Sequence, residues 1–259
     1  MDDSQAVLLK RDGFVATVTL NRPDKLNALT MEMLDTLSAM ASELDADREV
    51  RCVILTGAGD RAFCVGADIN AFMALEPLDM WRSWIRRGHQ VFDQWARLRQ
   101  PVIAAIEGLA LGGGLELAAT ADIRIARPAA QFGLPEVSIA AIPGWSGTQR
   151  LAGLIGASRV KYLALTAKRL TAEQAVQIGL VHELAIEGAL AWSVGLAHQI
   201  CKLAPISVQL AKQLVDAGGG AGLAAALEGM AGAIAASTQD AREGLASFRE
   251  KRPADYLGK

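Results

Sequence analysis

The chain has 259 residues, of which 51% are hydrophobic, and a formal net charge of −2. This length and apolar content predict one large folded unit with a substantial core and exclude a disordered chain. The near-neutral charge argues against a partner such as nucleic acid or an anionic membrane. Cys52, Cys64 and Cys201 have the spacing of neither a disulfide framework nor a zinc site.

The sequence shows no signal-peptide pattern at its N-terminus and no run of about 18 apolar residues that would span a membrane. It therefore predicts a soluble, cytoplasmic protein that neither crosses nor binds a membrane.

The first sixty residues predict a hairpin, a helix and a buried strand. Residues 6–10 and 15–20 are short apolar or β-branched runs separated by an Arg-Asp-Gly turn. Thr30 is a suitable N-cap for a helix over 31–44, whose apolar residues recur every three to four positions. Residues 53–56 then predict a buried strand.

The next sixty residues repeat this alternation of strands and helices. A helix is predicted over 77–99 and an apolar strand over 101–106. Three glycines follow, then a short helix over 115–120 and a strand over 122–126. Such alternation favours an α/β fold in which helices cover at least one face of a sheet.

From Pro143 onward the sequence predicts helices only. One of them opens with the capping box of Thr171 and Gln174. The predicted helices cover 146–154, 158–165, 171–178, 188–202, 206–216, 222–237 and 239–251. No linker or internal repeat divides the chain, so residues 1–195 are interpreted as a core that contains the active site and 196–259 as a helical C-terminal region.

Two motifs resemble known sites without their structural context. Residues 57–62 spell GxGxxA, but no helix begins over 63–66 to receive a pyrophosphate, so a tight turn is the better interpretation. Residues 144–148 nearly spell a nucleophile elbow, but the last glycine comes one position early. The histidines also lack a partnering carboxylate or cysteine pattern and are interpreted as structural or surface residues; they are His89, His182 and His198.

The strongest chemical pattern lies over 104–118, where a buried strand passes through three glycines into a helix. Glycines let the backbone approach a ligand, and the N–H groups of this segment would point outward with the positive end of the helix dipole. This favours a donor site for an oxyanion, with the carboxylate of Glu116 close by. The alternative is a packing turn with a helix-capping glutamate.

Two further segments add to this pattern. The turn at 63–69 offers the Ala67 N–H as a second donor, and its Asp68 can cap a helix that begins near Ile69. Glu136 lies in an apolar loop twenty residues after Glu116. Burial raises the pKa of a glutamate towards neutrality, so two such carboxyl groups can divide the roles of acid and base.

At this point the chain resembles the crotonase (enoyl-CoA hydratase/isomerase) superfamily, and most of all enoyl-CoA hydratase. The resemblance runs almost end to end in five ordered motifs, which makes it specific. The motifs are LNRPDKLNAL at 20–29, FCVGADI at 63–69, PVIAAIEGLALGGGLELA at 101–118, AQFGLPEVSIAAIPGWSGTQRL at 130–151 and REGLASFREKRP at 242–253.

The resemblance implies an α/β fold, a crotonase-like spiral of ββα units with a helical C-terminal oligomerisation region, in a homotrimer or a homohexamer built as a dimer of trimers. It implies that the backbone N–H groups of Ala67 and Gly113 bind the thioester oxygen of an acyl-CoA. Glu116 and Glu136 align with two catalytic glutamates, Glu136 as the principal acid and base at Cα and Glu116 as the group that activates water. The residues implied to contact the CoA moiety are Lys25, Leu26, Ala28, Ala67, Asp68, Ile69, Gly112 and Gly113, with Phe248 and Lys251 reaching it from a neighbouring subunit.

The implied activity is the reversible addition of water to a 2-enoyl-CoA, within fatty acid metabolism and without a cofactor or metal, since coenzyme A enters with the substrate. Alternatives are a double-bond isomerase, another acyl-CoA dehydratase of the superfamily, or a non-catalytic RNA-binding or scaffold protein. Two glutamates favour hydration or its reverse, and the acidic charge balance argues against RNA.

Two departures from the family pattern bear on the substrate. Trp145 and Ser146 stand where many relatives carry small residues, which predicts a narrowed site near Glu136 or an added hydroxyl group. Residues 80–92 lie where the acyl pocket varies in this family, although a solvated helix with aromatic core contacts explains them equally well. The acyl chain length therefore stays open.

Overall fold

The computed structural model describes residues 6–73, 75–218 and 221–259. Its strands are β1 (Val7–Asp12), β2 (Val15–Leu20), β3 (Cys52–Gly57), β4 (Ala62–Cys64), β5 (Val102–Ile106), β6 (Leu109–Leu111), β7 (Ile123–Ala126), β8 (Gln131–Gly133), β9 (Arg169–Thr171) and β10 (Glu183–Leu184). Its α-helices are α1 (Met31–Ala46), α2 (Ile69–Met73), α3 (Pro77–Asp79), α4 (Arg86–Ala96), α5 (Gly113–Ala118), α6 (Gly147–Ile155), α7 (Ala157–Thr166), α8 (Ala172–Gln177), α9 (Ala189–Cys201), α10 (Pro205–Ala217), α11 (Ala221–Ser237) and α12 (Gln239–Glu250). Short 3₁₀ turns cover Pro23–Lys25 and Glu136–Ile139, and a π-helical segment, Met80–Ile85, joins α3 to α4.

The strands form a large and a small sheet. The large sheet has the order β1-β2-β3-β5-β7-β10 and is parallel apart from the β1–β2 hairpin. The small sheet has the order β4-β6-β8-β9, of which β4, β6 and β8 are parallel. Each of β3, β5 and β7 in the large sheet is followed at once by the next strand of the small sheet, so this part of the chain winds as a repeated pair of strands.

This winding brings three turns to one edge of the small sheet. Because β4, β6 and β8 run parallel, their carboxyl ends lie side by side. The segments that leave these ends are 65–68, 112–113 and 134–136. The hydrogen bond from Gly112 N to Gly133 O, 2.9 Å long, ties the second end to the third. Ligands of α/β proteins bind at such an edge.

The central strands β3 and β5 of the large sheet are buried on both faces, which explains why they are mostly apolar. Alternate residues of β3 face opposite sides: Val53 and Leu55 pack with α1 and α4, whereas Cys52 and Ile54 pack with α9. This core fixes the strands from which the three turns emerge.

The α/β fold with a helical C-terminal region confirms the sequence prediction, as do the Thr30 cap of α1 and the Thr171–Gln174 capping box of α8. The predicted division of the chain at residue 195 falls inside α9 and stays a prediction. Within the described parts of the chain, no helix combines the length and hydropathy needed to cross a membrane.

Two parts of the secondary-structure prediction are wrong. The chain after Pro143 is not purely helical, because β9 pairs with β8 and β10 pairs with β7. These strands have only three and two residues and form through tertiary pairing, so they carry no alternating pattern. The helix predicted over 77–99 ends at Ala96 and includes the π-helical segment.

Candidate active site

A cavity of about 570 Å³ opens at the carboxyl ends of β4, β6 and β8. The structure brings most of the predicted site residues to its wall, namely Lys25, Ala28, Ala67, Asp68, Ile69, Gly112, Gly113, Glu116 and Glu136. Leu26 is not among the lining residues; its carbonyl accepts a 3.2 Å hydrogen bond from Val65 N.

Two backbone N–H groups are available at this wall. Gly66 O accepts from Leu29 N and Asp68 N donates to Leu29 O, both at 2.8 Å, so the Ala67 N–H between them points the opposite way. Within the described residues it has no acceptor. The N–H of Gly113 opens α5, so no earlier turn of that helix can accept its hydrogen bond.

The two turns that carry these donors touch each other. A Cβ added to Gly66, which has a φ of +100°, would lie 3.0 Å from Gly113 N. Gly112 has a φ of +52°, and a Cβ added there would lie 3.0 Å from Glu136 Oε1. Side chains at these two positions would therefore be strained and would separate the donors from each other or from Glu136.

The Glu116 carboxyl group is buried, with 2% of the residue exposed. Its Oε1 accepts hydrogen bonds from Trp145 N at 2.9 Å and Gly147 N at 2.7 Å. Burial raises the pKa of Glu116, and these two N–H groups only partly oppose that effect. The carboxyl group is thus held through one oxygen, and Glu116 is among the residues that line the cavity.

Glu136 begins the 3₁₀ turn that follows β8. Burial, reinforced by the charge of Glu116, raises its pKa to about 7. Its Oε2 is buried without a hydrogen-bond partner among the described residues. Two carboxyl groups with raised pKa values thus line one cavity, and Glu136, with a pKa of about 7, can give and take a proton near neutral pH.

The loop that carries Lys25 and Ala28 is held by Arg22 and Asn27, which lie in the motif at 20–29 but have no role predicted from the sequence. Arg22 Nη1 donates to Ala28 O at 2.8 Å and pairs with Asp68 Oδ2 at 3.0 Å. Burial alone would raise the pKa of Asp68, but the Arg22 hydrogen bond helps to lower it below its usual range. The fully buried Asn27 donates to Ala58 O and Ala62 O at 3.1 and 2.8 Å.

Trp145 and Ser146 have different surroundings. The Trp145 ring lies between Gly88 and Gly113, where a Cβ would approach it to 2.1 and 2.7 Å, and it lines the cavity. Ser146 is not a lining residue; its Oγ is hydrogen-bonded to Nδ1 of His89. Trp145 therefore forms part of the cavity wall, and the predicted narrowing stays a prediction. The Ser146 hydroxyl group is directed to a histidine that the sequence pattern presents as structural.

The segment 80–92 has both of the roles that the sequence left open. Met80, Trp84 and Ile85 line the cavity, and Trp84 is tilted against Trp145 with ring centroids 5.4 Å apart. Trp81, by contrast, is 68% exposed. One face of the segment therefore forms apolar cavity wall and the other meets solvent.

Phe248 and Lys251 lie at the end of α12, and neither lines the cavity of its own chain. Phe248 is 85% exposed. The predicted contact of these residues with CoA across a subunit boundary stays a prediction.

Comparisons with known proteins agree with this geometry. The family model described as enoyl-CoA hydratase/isomerase matches residues 10–259. The chain is 40% identical to the short-chain-enoyl-CoA hydratase of Clostridium acetobutylicum, with 95% of each chain covered. It is 36% identical to the crotonyl-CoA hydratase of Syntrophomonas wolfei, with 98% of each covered. A crystal structure of an enoyl-CoA hydratase from Bacillus anthracis superposes with a TM-score of 0.95 at 36% identity, covering 98% of this chain and all (100%) of that one.

Proposed function

This chain belongs to the enoyl-CoA hydratase/isomerase family and has the crotonase fold, and on that premise we propose its reaction and the roles of its residues. It is an enoyl-CoA hydratase, which adds water reversibly across the 2,3 double bond of a 2-enoyl-CoA thioester. The observation that carries the assignment is the cavity in which two glutamates with raised pKa values lie beside two backbone donors.

The Ala67 and Gly113 N–H groups bind the thioester carbonyl oxygen. As a water oxygen bonds to Cβ, the π electrons of the double bond move towards the thioester, and negative charge accumulates on its oxygen. Fixed donors are worth roughly 10²–10³ in rate each at such a position. The adjacency of the two donor turns and the direction of the Ala67 N–H away from Leu29 support this role.

The two glutamates move the protons. Glu116 accepts a proton from the attacking water, and Glu136 donates one to Cα. The two carboxyl groups together therefore hold the same number of protons before and after the reaction. The partnerless Oε2 of Glu136 supports its role as a mobile proton donor, and the two N–H groups on Glu116 Oε1 support its role as a fixed base. Well-placed groups of this kind contribute roughly 10²–10⁴ each.

Further proposals concern binding and assembly. Lys25, Ala28, Asp68 and Ile69 on the cavity wall line the path of the CoA moiety. The chain forms a homotrimer or a homohexamer, in which Phe248 and Lys251 approach the CoA bound to a neighbour. Coenzyme A enters as part of the substrate, and no separate cofactor is needed. The cytoplasmic location and the place in fatty acid metabolism stay predictions.

A substrate panel tests the function. Purified protein is mixed with crotonyl-CoA and longer 2-enoyl-CoA thioesters, and the loss of the enoyl-thioester absorbance is followed. We expect rapid loss with at least one member, and the apolar wall formed by Met80, Trp84 and Ile85 favours unsubstituted acyl chains. No absorbance change with any member would contradict hydratase activity. Movement of the double bond without hydration would indicate the isomerase alternative.

A further inference from the structure

The turn over 144–147 contacts and hydrogen-bonds the Glu116 side chain. Trp145 N and Gly147 N donate to the same carboxylate oxygen, at 2.9 and 2.7 Å. Gly147 lies so close that a Cβ there would come within 2.1 Å of Glu116 Cγ. The position of the carboxyl group therefore depends on the shape of this turn.

Ser146, between the two donors, has an unfavourable backbone conformation. Its φ is +72°, in the left-handed region that glycine adopts readily and serine does not. The conformation is what allows the flanking N–H groups to converge on one oxygen. A serine here has a cost in stability that a glycine would avoid, and a contact made by its hydroxyl group would offset that cost.

That hydroxyl group is hydrogen-bonded to Nδ1 of His89, which stands on α4 one turn from the cavity-lining segment Met80–Ile85. Helix α4 is firmly packed, since Val91, Phe92 and Trp95 on it are fully buried. The bond therefore connects the turn to a rigid element of the core. Ser146 itself does not line the cavity, so it is not placed to attack a thioester.

We propose that Ser146 and His89 form a positioning pair, which holds the turn 144–147 so that its N–H groups fix the Glu116 carboxyl group in the cavity. The pair acts through Glu116 and does not touch the substrate. The inference rests on the proposed function only for its effect on turnover; its effect on the turn exists without substrate.

Glycine and leucine variants separate this role from a merely structural one. Ser146→Gly relieves the left-handed serine but removes the hydroxyl group, so the variant should unfold at the same or a higher temperature than the wild type. Its kcat with crotonyl-CoA should nevertheless fall about ten- to a hundredfold with KM little changed, because a displaced catalytic group lowers turnover. His89→Leu should show the same fall, and His89→Asn, whose amide can occupy the Nδ1 position, should recover most of it.

Hydrogen–deuterium exchange of the ligand-free protein provides a readout that needs no activity. Peptides covering 144–151 should exchange faster in Ser146→Gly and His89→Leu than in the wild type and His89→Asn. His198→Leu, which alters an exposed histidine on α9, is the matched control and should change neither exchange nor turnover. Unchanged exchange in both Ser146→Gly and His89→Leu would overturn the positioning pair. If the wild type hydrates no enoyl-CoA, the proposed function fails, while the exchange result still decides the inference.

Discussion

The Glu116 and Glu136 carboxyl groups differ in what holds them. Glu116 is fixed by two N–H donors on one oxygen, whereas the buried Oε2 of Glu136 has no partner within the described residues. Both pKa values are raised, mainly by burial. A fixed group suits the orientation of water, and a group without a bound donor suits proton exchange with a substrate carbon.

The pH dependence of turnover follows from the proton that this pair carries in the proposed mechanism. That mechanism needs one of the two glutamates ionised and the other protonated. The pKa of Glu136 is about 7, so the pair loses its proton as the pH rises through that value. We expect kcat/KM for crotonyl-CoA to fall above about pH 7, approaching about tenfold per pH unit.

Dehydration of the 3-hydroxyacyl-CoA should show the same fall of kcat/KM above about pH 7. The ratio of kcat/KM for hydration to kcat/KM for dehydration equals the equilibrium constant, and that constant does not change with pH because water addition consumes no net proton. Initial rates measured in both directions across the pH range check this expectation. A profile that stays flat to pH ~9 would contradict the assigned proton carrier.

Replacement of Glu136 should stabilise the folded protein while lowering its activity. The folded protein raises the pKa of Glu136 from 4.5 to about 7, so it favours the protonated form. The ionised group thus lowers stability by an amount that grows as the pH rises from 4.5 and levels off above about 7. Glu136→Gln should raise the free energy of unfolding at pH ~8 by about 1–3 kcal/mol, and by little at pH ~4.

The same variant should lose roughly 10²–10⁴ in kcat, since the amide cannot give up a proton. Denaturant unfolding at the two pH values and steady-state kinetics provide the measurements. Equal stability of variant and wild type at both pH values would show that the fold does not raise this pKa.

At the scale of secondary-structure elements, glycine positions decide how closely α5 approaches β4. A Cβ on Gly114 would lie 2.0 Å from Cys64 O, so Gly114→Ala must push the helix away from the strand that leads to Ala67. We expect at least a hundredfold loss of kcat/KM and a destabilisation of about 1–3 kcal/mol from overpacking.

Gly153→Ala is the matched control. Gly153 lies inside α6, and a Cβ added there would have no atom within 4 Å, so alanine should leave kinetics unchanged and stabilise the helix by up to about 1 kcal/mol. Thermal unfolding and kcat/KM of both variants test the contrast. Full activity of Gly114→Ala would mean that the contact between α5 and β4 does not set the donor geometry.

The sequence predicts those elements whose signal is local. The Thr30 cap, the apolar periodicity of α1 and the continuous apolar run of β5 all lie within one segment, and the structure confirms them. The strands β4, β6 and β8 have three residues each and exist because they pair with one another, so their sequences alone indicate only turns or a loop. Their parallel pairing is nevertheless what collects the predicted Ala67, Gly113 and Glu136 at one cavity.

The supporting residues were harder to predict than the site itself. Asn27 and Arg22 fasten the loop through backbone carbonyls and a carboxylate that lie more than thirty residues away along the chain, so no local spacing revealed them. The Ser146–His89 bond likewise joins positions 57 residues apart. Arg22, Asn27 and Ser146 lie within motifs that carry the family resemblance, but the contacts they make depend on the three-dimensional fold.

At the scale of the whole molecule, the C-terminal helices present large apolar side chains that their own chain leaves exposed. Phe248 is 85% exposed, Met230 66% and Leu245 63%. Exposed apolar surface of this kind fits a contact with another copy of the chain, as proposed for the homotrimer.

Sedimentation equilibrium should give three or six times the 27.4 kDa chain mass. Phe248→Ala should raise KM for crotonyl-CoA several-fold with little change in kcat, since the residue is proposed to approach CoA and not the reacting carbons. A 27.4 kDa species with full activity would contradict the assembly and the shared site.

The central claim is that this chain adds water across the 2,3 double bond with Glu116 and Glu136 as its proton carriers. Turnover of crotonyl-CoA in water labelled with oxygen-18 and deuterium tests it most directly, by mass spectrometry of the product. The wild type should yield 3-hydroxybutyryl-CoA with one labelled oxygen at C3 and one deuterium at C2, and Glu116→Gln and Glu136→Gln should each reduce this product by at least about a hundredfold. Product without labelled oxygen, or undiminished labelling in either variant, would contradict this mechanism.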